Sequence, residues 1–159
     1  MGEVAAGEPD LAILLAASYR ALTERLHDEM ESRGLADMRP SFGFVIRAVA
    51  ADQPTITRLA EMLDVTKQSA SSLADEAERA GFVERVAVPG DRRSRHLHLT
   101  AKGKRVRAAA LATSAEIERE LETELGPKAV AQMRAGLLAF VARSGALDDV
   151  LARRARLVW

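Results

Sequence analysis

Residues 81–103 read GFVERVAVPGDRRSRHLHLTAKG, and this stretch decides the fold. Before Gly81 the apolar residues recur at helical spacing, and after it the period changes to two. Phe82 to Val88 reads as a strand, Pro89 to Ser94 as a turn, and Arg95 to Leu99 as the return strand. Thr100 then caps a new helix. A small β-hairpin therefore stands between helices.

Upstream, Thr66 caps a helix running to Gly81, with a thin buried stripe of Ala70, Leu73, Ala77 and Ala80. Asp64-Val65 links it tightly to a short helix capped by Thr55 and carrying Ile56, Leu59, Ala60 and Leu63. Pro40 and Ser41 open the helix before that, with Phe42, Val45, Ile46 and Val49, and Asp52-Gln53-Pro54 ends it. A long helix from about residue 9 to Arg33 carries Leu11, Leu15, Leu22, Leu26 and Met30, widened by Leu14 and Tyr19, and is closed by Gly34. Its broad stripe suggests burial against a partner as well as its own core. Downstream, Val106, Ala110, Ile117 and Leu121 mark a helix ending at Gly126-Pro127. Val130, Met133, Leu137, Phe140 and Val141 mark a last one, and the tail from Leu147 to Trp159 could add a turn or two. The expected fold is mainly α with a small β-hairpin wing: a winged helix-turn-helix with helices before and after it.

The helix opening at Thr66 presents Lys67, Gln68, Ser69, Ser71 and Ser72, side chains small or flexible enough to enter a major groove about 12 Å wide. Gln can read adenine, Lys can read guanine, and Ser can serve base or phosphate. The helix start adds N–H groups and a positive dipole end. The bland reading of this segment is a serine-rich solvent face. The hairpin tip shifts the balance. Asp91, Arg92, Arg93 and Arg95 sit on a narrow support, and an Arg side chain fits a minor groove about 6 Å wide. Asp91 is expected to hold Arg93 extended through a bidentate pair.

The formal charge of zero, from 23 cationic and 23 anionic residues, does not oppose this, because charge is unevenly distributed. Arg85, Arg92, Arg93, Arg95, Lys102, Lys104, Arg105 and Arg107 cluster in one stretch, against the acids of the first forty residues. Phosphate contacts are local and screened within about 10 Å. No cysteine is present, which removes disulfides, thiolate zinc sites and thiol sensing. No apolar run approaches the roughly 18 residues of a membrane span, and the acidic first ten residues are unlike a secretory signal. A cytoplasmic location is the expectation.

The run from Leu59 to Gly103 resembles the winged helix-turn-helix of the MarR family, the multiple-antibiotic-resistance type regulators. The matching pieces are Leu59-Ala60, Thr66-Lys67-Gln68-Ser69, Ala80-Gly81-Phe82-Val83-Glu84-Arg85, Asp91-Arg92-Arg93 and Leu99-Thr100-Ala101-Lys102-Gly103, specific in their order and spacing. The helices at 9–33 and 101–143 resemble the family in placement, so the likeness covers nearly the whole chain. It implies a homodimer on double-stranded DNA, with residues 1–36 and 104–159 as a helical dimerisation region around a DNA-binding lobe at 37–103. It implies recognition helices in successive major grooves, wing tips in flanking minor grooves, and often a repressor released by a small molecule. Ligand-site candidates by analogy are Tyr19, His27, Phe42 and Arg47.

Other chemistry finds less support. His96 and His98 could seed a metal site, but no third ligand is evident, and a polar sheet face is the simpler reading. His27 beside Glu24, Asp28 and Glu31 reads as a solvated helical pair. There is no phosphate-cradling glycine loop and no serine with a paired base, so no cofactor and no enzyme activity is expected. A winged helix that binds protein instead of DNA is the competing function, and the crowded arginines of the wing speak against it.

Overall fold

The computed structural model describes residues 8–35, 38–88 and 91–143. Its element order is α1 (Leu11–Ser32), α2 (Pro40–Asp52), α3 (Ile56–Leu63), α4 (Lys67–Arg79), β1 (Val83–Val88), β2 (Asp91–Leu99), α5 (Ala101–Leu125) and α6 (Pro127–Ala142). The tail, including Trp159, lies outside the described residues.

Helix boundaries follow local chemistry. The side chains of Asp10, Thr55, Thr66 and Thr100 each accept a bond from a backbone N–H of the first turn of α1, α3, α4 and α5. Pro stands at the start of α2 and of α6, where its missing N–H has no partner to lose. Gly34 closes α1 with a positive φ of 70°, and the Leu35 N–H returns to the Met30 carbonyl.

α2, α3, α4, the hairpin and the start of α5 enclose the core. Val45, Val49, Leu59, Met62 and Leu63 from α2 and α3 meet Phe82, Val83 and Leu97 from the hairpin and Val106 from α5. α4 contributes only Ala70, Ala74 and Ala77, all fully buried. Methyl-sized contacts bring its backbone close to its neighbours, as dense packing requires. Ala74 takes the central place that the sequence pattern gave to Leu73 and Ala80, which are half-buried.

β1 and β2 pair antiparallel, from Val83 opposite Leu99 to Ala87 opposite Arg95, then Val88 opposite Asp91. The return strand thus starts at Asp91, four residues earlier than the expected Arg95. Arg92, Arg93 and Ser94 lie between the last two register pairs, so the expected turn residues form an irregular extension of the strand. The far edge of β2 is tied to the link between α2 and α3: Leu97 N–H donates to the Pro54 carbonyl at 2.9 Å. His96 Nδ1 lies 2.7 Å from the carbonyl oxygen of Gln53, itself in the left-handed region.

α1 and α6 pack differently. Among their described residues only Met30 and Val130 are buried. Leu11, Leu14 and Tyr19 of α1, Leu111 of α5, and Leu137 and Phe140 of α6 are exposed in the single chain. Arg25 of α1 reaches Glu120 of α5 through two bonds of 2.5 and 2.6 Å, which hold the Glu120 carboxyl below its ordinary range. Among the described residues no helix is long and apolar enough to cross a membrane.

Candidate nucleic-acid interface

The turn between α3 and α4 is short because Asp64 adopts a left-handed conformation, φ 51°, and Val65 N–H bonds back to the Ala60 carbonyl at 3.1 Å. Two residues therefore reverse the chain, and Thr66 caps α4 at once. Its hydroxyl accepts from Ser69 N–H at 3.1 Å and meets the Ser69 hydroxyl at 2.9 Å.

With Ala70, Ala74 and Ala77 turned to the core, α4 projects the opposite face outward. Thr66, Lys67, Gln68, Ser69 and Ser72 are exposed and Ser71 is half-buried. The expected recognition residues thus lie together at the start of one helix. Two of them are partly engaged in the cap, Thr66 and Ser69, which leaves Lys67, Gln68, Ser71 and Ser72 as the outward-reaching set.

The wing rises beside this helix on β1 and β2. Arg95 is exposed near its outer end. The side chains of Asp91, Arg92 and Arg93 lie outside the described set, as does the expected Asp91–Arg93 pair.

Not all the clustered cations are available to a phosphate. Arg85 is held by two acids of α4: its guanidinium meets Asp75 at 2.5 Å and also Glu78. Burial pulls this guanidinium down, but the Asp75 hydrogen bond and the charges of Glu78 and Asp75 outweigh it and hold it above its ordinary value. Lys102 is folded inward, donating to the Ala80 carbonyl at 3.0 Å with its ammonium 4.6 Å from the centre of the Phe82 ring. Grouping these two with the wing arginines is the error of a linear charge count. Lys104, Arg105 and Arg107 remain exposed.

The four ligand-site candidates lie on α1 and α2. Tyr19 and His27 are exposed on α1 and Arg47 is exposed on α2. Phe42 is 3% exposed, its ring tilted against Phe82 at 5.5 Å between centroids, where it fills the core. A cleft of about 290 Å³ lies elsewhere, lined by Val49, Ala50, Gln53, His98, Leu99, Lys104 and Arg107. His98 therefore faces this cleft while His96 is taken by Gln53, and no metal-holding cluster occurs among the described residues.

The Asp75 and Glu78 pair escaped the sequence reading. Its only trace there is two acids spaced by one turn just before the strand that carries Arg85.

Comparison with known proteins agrees with this architecture. The family model described as MarR family matches residues 44–94, from α2 to the wing tip. No curated protein matches the sequence. Among solved structures, the chain resembles a Staphylococcus aureus MepR–DNA complex with TM-score 0.67 and 21% identity, over 83% of this chain and 98% of that one. YusO from Bacillus subtilis matches with TM-score 0.63 and 23% identity, over 84% and 93%. The transcriptional regulator Tm0710 from Thermotoga maritima matches with TM-score 0.59 and 18% identity, over 84% and 94%. At such identities the likeness shows the fold alone, and the family match covers the segment 44–94: the chain has a winged helix-turn-helix fold whose residues 44–94 match the MarR family.

Proposed function

We propose that this protein is a sequence-specific, double-stranded DNA-binding transcription regulator that acts as a homodimer on a pseudo-palindromic operator. The observation that carries the reading is the face of α4, where exposed Lys67, Gln68 and Ser72, with half-buried Ser71, stand on an all-alanine inner face beside a two-stranded wing. Lys67 and Gln68 would read base edges, and the serines would serve bases or phosphates. Arg92, Arg93 and Arg95, with Asp91 as orienter, would enter the flanking minor groove. The structural relative MepR is described in complex with DNA, which supports this reading.

Residues 1–36 and 104–159 form the proposed dimerisation region and 37–103 the DNA-binding lobe. The exposed Leu11, Leu14, Leu111, Leu137 and Phe140 on α1, α5 and α6 support this, since a second copy would remove their apolar surface from water. Two-fold symmetry then places half-sites about 34 Å apart. Repression is the proposed sign of regulation, relieved by a small aromatic or hydrophobic ligand at a site including Tyr19, His27, Phe42 and Arg47. Such a ligand would act by favouring one spacing of the recognition helices. The protein would work in the cytoplasm.

The test is selection of duplexes from a random library by the full chain, followed by shift assays at two salt concentrations. Enrichment of an inverted repeat whose retention weakens as salt rises is the expected result. A protein-interaction module would enrich no site.

A further inference from the structure

Arg85 is the most buried of the ion-paired arginines among the described residues. Its side chain is 22% exposed, whereas those of the paired arginines Arg20, Arg25, Arg33, Arg39, Arg58, Arg119 and Arg134 are 44–80% exposed. Like the Arg25–Glu120 and Arg134–Glu118 pairs, Arg85 joins two elements, but it does so through two acids of the same helix. Asp75 and Glu78 are one turn apart on α4, and the planar guanidinium bridges both of them from β1. Glu78 also accepts the backbone N–H of Arg85 at 3.2 Å, so one carboxylate holds main chain and side chain of the same strand residue. A rigid fork anchored at two points on a helix resists both rotation and sliding of that helix against the strand. Opposite Arg85 on β2 stands Leu97, 1% exposed, which keeps this part of the hairpin fixed to the core.

The joint lies between the two DNA-facing features. Gln68 and Ser71 precede Asp75 on α4, and the wing tip follows Arg85 along β1. We propose that Arg85 is a positioning residue for specificity: it sets the recognition helix and the wing at one fixed angle, and so determines the spacing between major-groove and minor-groove elements that the protein accepts. This rests on the DNA-binding reading above. A slack joint would let each contact form alone, on more sequences and less tightly on the right one.

Removing Arg85 also leaves two acids unneutralised near DNA, which would weaken binding to every sequence alike. Specificity must therefore be read as a ratio, and Arg85→Met combined with Asp75→Asn keeps the net charge unchanged. The experiment uses the full chain, a duplex recovered by selection with the wild type, and a scrambled duplex of equal length. Affinities are measured at one salt concentration, below each variant's melting temperature. Arg85→Met and the charge-neutral double variant are expected to lose about tenfold or more on the selected duplex and less than about threefold on the scrambled one. Arg85→Lys, a single point charge, should recover part of the loss. A base pair inserted between the inner and flanking elements should weaken the wild type strongly and the variants little. Should Arg85→Met fail to fold, Asp75→Asn alone, on a half-exposed arm, must show the same change in ratio. Equal losses on both duplexes, or an unaltered selected-site affinity, would overturn the proposal. A wild type that selects no site would instead remove the DNA-binding reading beneath it.

Discussion

Gly103 lies against the backbone of Phe82 so closely that a Cβ on Gly103 would overlap the Phe82 carbonyl oxygen and stand 3.3 Å from Leu99 Cδ2. The contact fixes where α5 leaves the wing. Around it, the Thr100 hydroxyl donates to the Gly81 carbonyl at 2.6 Å and accepts from Gly103 N–H at 3.1 Å, while Thr100 N–H donates to the Phe82 carbonyl. The start of α5 is thus fastened to the start of β1, and the lobe is fastened to the long helix that leaves it.

Gly103→Ala is therefore expected to destabilise the protein by about 2 kcal/mol or more, because backbone rather than a flexible side chain must give way. Urea unfolding followed by circular dichroism measures it. A loss below about 0.5 kcal/mol would mean that the α5–β1 junction is loose.

Thr66→Ala should cost about 1 kcal/mol of stability through the lost cap on α4, and Thr66→Ser should restore most of it. If the Ala variant unfolds at the wild-type denaturant midpoint, the hydroxyl does not cap the helix.

Gln68→Ala and Arg93→Ala are expected to damage DNA binding in different ways. Gln68→Ala should relax preference at one position per half-site, by about 1–3 kcal/mol if the contact is bidentate. Arg93→Ala should weaken binding and make it less sensitive to salt, with the dimer intact. Binding profiles over single-base operator variants, each taken at several salt concentrations, separate the two. A Gln68→Ala profile identical to wild type would exclude base reading by that residue.

The Arg25–Glu120 pair should make a pH-dependent contribution to stability. The Arg25 hydrogen bond lowers the carboxyl's folded pKa, so its stabilisation is present above the unfolded value of about 4.3 and is lost as pH falls through the lowered folded value. Glu120→Gln should be less stable than wild type at pH 7, and the two should converge below pH of about 4. Urea midpoints from pH 7 to 3 test this. Curves that stay equally separated throughout would mean that the carboxylate charge plays no part.

Helix starts were legible in the sequence because capping is local. Thr55, Thr66, Thr100 and the prolines at 40 and 127 act within four residues of themselves. The outward face of α4 was legible for a similar reason: the alanine stripe fixes its buried side. Ala74 was missed because a methyl group gives a faint hydrophobic signal, although its burial is complete. The onset of β2 was misplaced because the polar run Asp91 to Ser94 has no alternation, while cross-strand pairing to Val88 sets its backbone. Arg85 and Lys102 looked like free cations because their partners, Asp75, Glu78 and the Ala80 carbonyl, are brought near only by the fold.

The most direct trial is equilibrium titration of the purified full chain with its selected inverted repeat and with one isolated half-site, across a salt series. The repeat should bind one pair of protein chains, far more tightly than the half-site, with log affinity falling linearly as log salt rises. One chain per duplex, or an affinity indifferent to both symmetry and salt, would contradict the account.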